Sequence, residues 1–297
     1  MSSWLSFWPN LVASWPTLTV NSIALGGLLF LLSAGFSLIF GLMRIPNLLH
    51  GSFFMLGAYF GVSFLSAGMN FWLAALLSAA AMGVIGGLIE RFLLRRLAGQ
   101  ELAQVLLTLG SAFIIADVCL MVWTGDPWQP PTPAHLQGAV QITGLFFPLF
   151  RLAIVGVAIV VAIGLWLMVD WTRLGAMIRA GVDDASIARV CGIKVSQLFT
   201  LVFALGAALA AFAGVMGAPY LSVYPGLDFE MLPLALIVVI LGGTGSLLGA
   251  LVGSFLIGFL YNFGQAIFPD LAYVILFLPM LVVLVLRPQG LFGRVIA

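Results

Sequence analysis

Very few residues of this sequence could do chemistry. Among the side chains that act as nucleophiles, proton carriers or metal ligands, the apolar stretches hold only His50, Asp117 and Cys119, and their spacing fits no metal site. Asp117 falls well inside a predicted membrane span, where a charge costs roughly 2.5 to 3.5 kcal/mol unless it is paired or hydrated. The residues therefore predict neither an enzyme nor a metal cofactor. They make Asp117 a candidate for a solute pathway, with a buried hydrogen bond to another helix as the alternative.

The sequence also lacks the loop that binds ATP. A phosphate-binding loop needs the pattern Gly-x-x-x-x-Gly-Lys-Ser/Thr, in which the lysine reaches the phosphates. The single lysine of the chain, Lys194, is followed by Val195 and has no glycine at the required spacing. Any ATP and Mg²⁺ that drive this protein must therefore bind to other subunits.

The elements that position these few groups are predicted to be membrane-spanning helices. Apolar residues make up 63% of the 297 residues and charged residues only 7%, which is too few to cover a soluble surface. Charge-free stretches are each long enough for one or two spans, since a span takes about 20 apolar residues. We predict an all-α, polytopic bundle of about 8 to 10 spans. The nine that we place are 17–42, 48–65, 71–93, 103–124, 152–169, 198–220, 231–247, 248–268 and 271–286.

Basic residues set the predicted orientation, because Lys and Arg in short loops are retained in the cytoplasm. Alternating spans place all but one of the eleven basic residues on one side, including Arg44 and Arg294, and leave only Arg151 on the other. The N-terminus is then outside, the C-terminus is cytoplasmic, and the Pro-rich stretch 126–148 is the longest external loop. No basic segment precedes the first apolar run, which argues against a cleaved signal. We expect a multi-pass membrane protein.

A proline break precedes the second predicted span and suggests a solute site there. The first residues of a helix have free backbone N–H groups and a positive dipole end, which favour a carboxylate or carbonyl group. In the alternative interpretation Asn47 only caps the helix and His50 hydrogen-bonds a neighbouring helix backbone. The candidate pathway residues in this span are Asn47, His50, Gly51, Phe54 and Tyr59.

Two halves of the chain share a weak pattern. Ala24-Leu25-Gly26 recurs as Ala204-Leu205-Gly206, and a proline break follows each copy about twenty residues later, at Pro46 and Pro225. Because the first break is predicted inside and the second outside, the single transmembrane domain 1–297 would contain inverted halves, 17–124 and 198–287, joined by span 152–169. Many transporters build a midplane site from such repeats with broken helices.

The segment 172–194 mixes charged and apolar residues at helical spacing. Its apolar residues Met177, Ile178, Val182, Ile187 and Val190 could line one face of two short helices. Asp183 or Asp184 can cap the second helix and Gly192 can end it. We interpret the segment as a docking element for a partner, with an interfacial helix on lipid as the alternative. The candidate docking residues are Gly175, Arg179, Ala180, Asp183, Asp184, Ala188 and Gly192.

Several motifs resemble the branched-chain amino acid ABC-transporter permeases of the LivH type. The cytoplasmic coupling motif of that family is matched in spacing by Arg179-Ala180, Asp184, Ala188 and Gly192-Ile193. Looser matches run through most of the chain. They are Ile45–Gly51, Met55–Tyr59, Glu90-Arg91, Leu205–Ala210, Leu241–Ser246 and Arg287–Arg294.

The resemblance implies a subunit of an importer in a bacterial inner membrane, which moves a small solute inward by alternating access. It implies a second permease subunit in a heterodimer, two cytoplasmic ATP-binding subunits, a periplasmic substrate-binding protein and surrounding lipid, but no nucleic acid. This sequence departs from the family pattern at Leu48, Leu49 and Ser52, where the family commonly has Phe, Ala and Glu, and at Leu234, where a lysine is expected. The solute is therefore open, from branched-chain or related amino acids to amides and short carboxylates. The alternative is an ion-coupled carrier or a passive channel.

Overall fold

A computed structural model describes residues 2–43, 47–142 and 145–293. Arg44, Arg294 and the break at Pro46 lie outside the described residues. Within these ranges the chain forms eleven α-helices and one antiparallel hairpin. In chain order the elements are α1 (Ser2–Met43), α2 (His50–Ser66), α3 (Phe71–Phe92), α4 (Glu101–Trp123), β1 (Ala139–Ile142), β2 (Leu145–Pro148), α5 (Leu149–Trp171), α6 (Arg173–Asp183), α7 (Ala185–Val190), α8 (Val195–Leu221), α9 (Leu227–Gly242), α10 (Leu247–Ile267) and α11 (Ala272–Leu286).

The helical bundle predicted from the sequence is confirmed, and each of the nine spans that we placed coincides with one helix. Six helices, namely α1, α3, α4, α5, α8 and α10, are long and apolar enough to cross a membrane. The helices α2, α9 and α11 have 17, 16 and 15 residues, fewer than the roughly 20 that an upright crossing needs. Two of these short helices begin inside the bundle, as the site geometry shows.

The centre of the bundle consists of α1, α2 and α8, whereas α4 and α5 lie at its outside. Small residues let the central helices approach closely. A methyl group added to Gly57 would lie 2.3 Å from Ala211 Cα, and one on Gly214 would lie 2.1 Å from the Phe54 carbonyl oxygen. Because only glycine fits at these contacts, α2 and α8 pack backbone to backbone.

The segment 172–194 forms two short helices, as the sequence predicts. Thr172 Oγ1 accepts a hydrogen bond from the Gly175 N–H at the start of α6, and Asp184 Oδ1 accepts from Ser186 and Ile187 at the start of α7. Gly192, with φ of +85°, ends the second helix. Asp184, one of the two predicted caps, is therefore the residue that caps α7.

The loop predicted over 126–148 contains structure that the sequence did not indicate. Residues 139–142 and 145–148 form the hairpin, in which Val140 lies opposite Phe147. Apolar cross-strand pairs of this kind stabilise a hairpin, but two four-residue strands leave too short a pattern to recognise. Upstream of the hairpin, Trp128 pairs with Val223 through two backbone hydrogen bonds of 2.8 and 2.6 Å, which attach this loop to the connection between α8 and α9.

Candidate functional site

The helix α2 begins deep in the bundle. His50 Nε2 donates a hydrogen bond to the Leu32 carbonyl oxygen at 2.9 Å. Leu32 lies 11 residues before Met43, where α1 ends, so the start of α2 lies about 16 Å along α1 from that end. Since a hydrocarbon core is about 30 Å thick, α2 starts near its middle.

The helix α9 also begins at mid-depth. The ring of Phe229, in its first turn, packs against the ring of Phe113 with 5.6 Å between centroids. Phe113 is close to the middle of α4, which spans Glu101–Trp123, and lies roughly 15 to 18 Å from both of its ends. The N-terminal ends of α2 and α9 therefore both lie inside the membrane layer.

These two helix starts touch each other. Ser52 Oγ donates a hydrogen bond to Asp228 Oδ2 at 2.9 Å, and both residues are buried. A methyl group added to Gly51 would lie 2.6 Å from the Asp228 carbonyl oxygen and 2.9 Å from Leu232 Cβ. We call the contact among Gly51, Ser52, Asp228 and Leu232 the helix-start junction. It brings two positive helix-dipole ends together in a region of low dielectric constant.

Several buried polar atoms around the junction have no hydrogen-bond partner among the described residues. They are Asn47 Nδ2, His50 Nδ1, Tyr59 Oη and Asp228 Oδ1. Buried polar groups normally have partners, so these four atoms are available to a polar molecule that enters this region. The arrangement can therefore offer both donors and acceptors to a small polar molecule.

The structure brings most of the predicted pathway residues to this region. Asn47 Oδ1 accepts a hydrogen bond from the Leu49 N–H at 3.2 Å, and His50 bonds the backbone of α1. These are the contacts expected in the alternative interpretation, in which Asn47 caps the helix and His50 bonds a neighbouring helix. Phe54 is fully buried, with its carbonyl oxygen against Gly214. Tyr59 stacks on Trp123 at 5.0 Å between ring centroids.

Asp117 is not at the junction. Its side chain is exposed on the outer face of α4, one turn beyond Phe113, rather than buried against another helix. Glu230, in the first turn of α9, is likewise exposed beside Phe229. Two carboxylates are thus exposed at the depth of the membrane on the same side of the bundle.

Sequence reasoning missed Asp228 and the partner that it finds in Ser52. We placed the start of the seventh span, 231–247, after these acidic residues, which left Asp117 as the one acid well inside a span, whereas α9 begins four residues earlier, at Leu227. The signal that could have revealed it is Gly226, which has φ of +105° and follows a proline at the helix start. A Pro-Gly pair of this kind can end a connection that re-enters the membrane as readily as it can end a surface loop.

The docking candidates form a compact unit at the end of the bundle where α1 ends. Gly181 of α6 packs against Leu42 and Leu198, and Ala188 of α7 is buried. The Arg179 guanidinium bonds the Val169 carbonyl oxygen and lies 3.5 Å from the Asp170 carboxylate. The apolar residues do not share one face, however: Ile178 is buried, whereas Ile187 and Val190 are 63% and 89% exposed.

The other docking candidates hold the backbone of this unit. A methyl group on Gly175 would lie 2.0 Å from the Val169 carbonyl oxygen, and the Ala180 carbonyl oxygen accepts from the Asp184 N–H at 3.1 Å. The side chain of Asp183 is exposed at the end of α6. The unit therefore has a buried face toward α1 and α8 and a free apolar face.

Comparison with known proteins gives a match over almost the whole chain. The family model described as branched-chain amino acid transport system / permease component matches residues 18–284. The high-affinity branched-chain amino acid transport system permease protein BraD of Pseudomonas aeruginosa is 29% identical, over 93% of this chain and 94% of its own length. The LivH protein of the same description from Salmonella typhimurium is 26% identical, over 92% and 94%.

More distant relatives carry another solute in their names. The autoinducer 2 import system permease protein LsrC of Klebsiella pneumoniae is 31% identical over 59% of this chain and 51% of its own length. No solved structure matches the chain.

Proposed function

The chain belongs to the family of branched-chain amino acid transport system permease components, and on that premise we propose that it imports a small amino acid or a related amide or carboxylate, driven by ATP-binding subunits. The observation that carries the proposal is the family match over residues 18–284, which includes both the helix-start junction and the segment 172–194. The chain is a multi-pass protein of the inner membrane. The N-terminus outside and the C-terminus in the cytoplasm are supported by the distribution of basic residues.

The proposed solute site is the helix-start junction. The two helix N-termini favour a carboxylate, and transporters with broken helices use such ends for anionic substrate groups. Asp228 and Tyr59 add acceptors and a hydroxyl for an ammonium or amide group, and their free atoms, Asp228 Oδ1 and Tyr59 Oη, support this role. Where the family pattern often has a glutamate, Ser52 pairs with Asp228, so the acidic group of this site comes from α9.

The proposed docking surface for the ATP-binding subunits is the exposed side of segment 172–194, which we call the coupling element. The apolar side chains of Ile187 and Val190 are exposed on α7. Exposed apolar side chains that lie together can indicate a protein interface. ATP and Mg²⁺ belong to those partner subunits. Because α7 is joined to α8 by the short turn 191–194, movement of the coupling element would reach the membrane helices directly.

A second permease subunit is the proposed neighbour of the α4 face. Asp117 and Glu230 are exposed there at membrane depth, and an uncompensated carboxylate in lipid is costly. Water or a partner subunit at this face would remove that cost. We therefore keep Asp117 within the proposed pathway, although it lies away from the junction. We favour a heterodimer, served by a periplasmic substrate-binding protein, as the family resemblance implies.

The inverted halves 17–124 and 198–287 remain part of the proposal. The packing supports them, because α1 packs along α10 as α8 packs along α3, and α2 meets α9 start to start. If α1 to α4 correspond to α8 to α11, the contact of α1 with α10 corresponds to the contact of α8 with α3. The contact of α2 with α9 then corresponds to itself. The span 152–169 and the coupling element then connect the two halves.

The test uses the reconstituted complex with its ATP-binding and substrate-binding subunits. Asp184→Ala removes the cap of α7, which typically costs about 1 kcal/mol, and Arg179→Gln removes the bond to the Val169 carbonyl. Both should lower solute-stimulated ATP hydrolysis and uptake, whereas Asp184→Asn keeps a capping side chain and should retain them. Unchanged coupling in both variants would refute the docking assignment. Uptake by this chain in liposomes without ATP-binding subunits would favour an ion-coupled carrier or a passive channel instead.

A further inference from the structure

A partly buried polar network lies at the end of α3. Glu90 is 1% exposed, and its Oε2 atom accepts hydrogen bonds from Arg95 Nη2 at 3.0 Å and from Thr200 Oγ1 at 2.5 Å. Arg95 Nη2 also donates to the Ser196 carbonyl oxygen at 2.7 Å and to the Thr200 hydroxyl. Three parts of the chain are thereby joined: the last turn of α3, the short 3-10 turn Leu94–Leu97 and the first turns of α8.

The network begins two residues after the coupling element in the chain. Ser196 follows Lys194, the last residue of that element, by two positions, and the intervening turn is held by hydrogen bonds from Ile193 N–H to the Ala188 carbonyl and from Val195 N–H to the Ile193 carbonyl. The start of α8 therefore cannot move independently of α7. Further along, Gly86 of α3 packs against Ala207 of α8, where a methyl group would lie 2.5 Å from Ala207 Cβ.

Free space lies between this network and the coupling element. A cavity of about 550 Å³ separates the 3-10 turn and the start of α4 from the turn between α7 and α8. Its walls include Glu90, Arg95, Gln104, Arg189 and Lys194. On this side of the bundle the coupling element is therefore linked to α3 through the start of α8 and the polar network.

We infer that Glu90, Arg95 and Thr200 are positioning residues that carry the movement of the coupling element into the α3 and α8 pair. The inference rests on the proposed function, since it assigns the route by which ATP-binding subunits would act on the membrane helices. When α7 is displaced, the bonds to Ser196 and Thr200 move Arg95 and Glu90 with α8, and α3 follows because Glu90 is one of its residues. Without the network, the end of α3 would follow α8 only through apolar packing such as that of Gly86 on Ala207.

The test compares two substitutions at one position. Thr200→Val keeps the shape of the side chain but removes the hydroxyl that bonds Glu90 and Arg95, whereas Thr200→Ser keeps the hydroxyl. In reconstituted complexes, the solute imported per ATP hydrolysed should fall roughly two- to thirty-fold for Thr200→Val, the range of single-residue effects on coupling. Thr200→Ser should keep the wild-type ratio. Glu90→Gln, which weakens both bonds to its carboxylate, should lower the ratio in the same direction.

Arg91→Gln is the matched control, because the Arg91 guanidinium lies over the Phe92 ring, 5.8 Å from its centroid, and takes no part in the network. It should leave the ratio unchanged. An unchanged ratio in Thr200→Val, or an equal fall in Thr200→Ser or Arg91→Gln, would refute the inference while the proposed function stands. Absence of ATP-dependent import in the wild-type complex would refute the proposed function and the inference with it.

Discussion

Replacing Gly51 with alanine tests the helix-start junction most directly. The added methyl carbon would lie 2.6 Å from the Asp228 carbonyl oxygen and 2.9 Å from Leu232 Cβ. Ordinary contacts between carbon atoms lie at about 3.5 to 4.0 Å, so the starts of α2 and α9 must separate by roughly 1 Å. Overpacking of this kind typically costs about 1 to 3 kcal/mol. Alanine favours a helix over glycine by about 1 kcal/mol, which offsets part of that cost.

A matched control removes the helix-propensity contribution. Gly156 lies inside α5, and a methyl group there meets nothing within 4 Å. Gly156→Ala therefore gains the same propensity without a clash, and the Gly51→Ala protein should be less stable than the Gly156→Ala protein by about 1 to 3 kcal/mol.

The assay is unfolding of the purified subunit in mixed micelles as the fraction of SDS rises, followed by circular dichroism, together with solute uptake by the reconstituted complex. Gly51→Ala should unfold at lower SDS and import more slowly, because the Ser52 to Asp228 hydrogen bond is stretched. Equal stability and equal uptake in the two variants would show that α2 and α9 do not meet as described.

Two other predictions concern the junction and the docking surface. Ser52→Ala removes the hydrogen-bond donor to Asp228 and should destabilise the protein by about 1 to 3 kcal/mol and weaken uptake. Ser33→Ala is the control, because it removes a buried hydroxyl without a hydrogen-bond partner among the described residues and should cost little stability. Similar losses in both variants would argue against a special role for Ser52. Ile187→Ser with Val190→Ser should leave the helical content unchanged but reduce copurification of the ATP-binding subunits, and undiminished copurification would rule out this docking surface.

The sequence is sufficient to predict the helices because charge and hydrophobicity alone determine which segments enter lipid. The run before Met43 and the run after Val195 contain no charged residue, and each became one long helix, α1 and α8. Local chemistry also predicts caps, as at Asp184 and Gly192. These features depend only on residues close together in the chain.

The depth at which α2 and α9 begin could not be predicted in the same way. A proline followed by a helix start looks alike at a membrane surface and inside a bundle, and only the packing of His50 on Leu32 and of Phe229 on Phe113 decides between them. Asp228 was placed outside the membrane for that reason. The contact of Glu90 with Thr200 could not be predicted either, because Thr200 lies 110 residues away in sequence.

The packing also indicates where alternating access can occur. α2 and α8 are locked together by glycine contacts at Gly57 and Gly214, where separation by even a small distance would open a void between backbones. α2 also meets α9, through contacts that include the Ser52 to Asp228 hydrogen bond and the close approach at Gly51. A movement that enters through α8 therefore carries α2 with it and acts on the helix-start junction. Four buried polar atoms without partners among the described residues lie around this junction, so the proposed solute site and the contact that the movement reaches coincide.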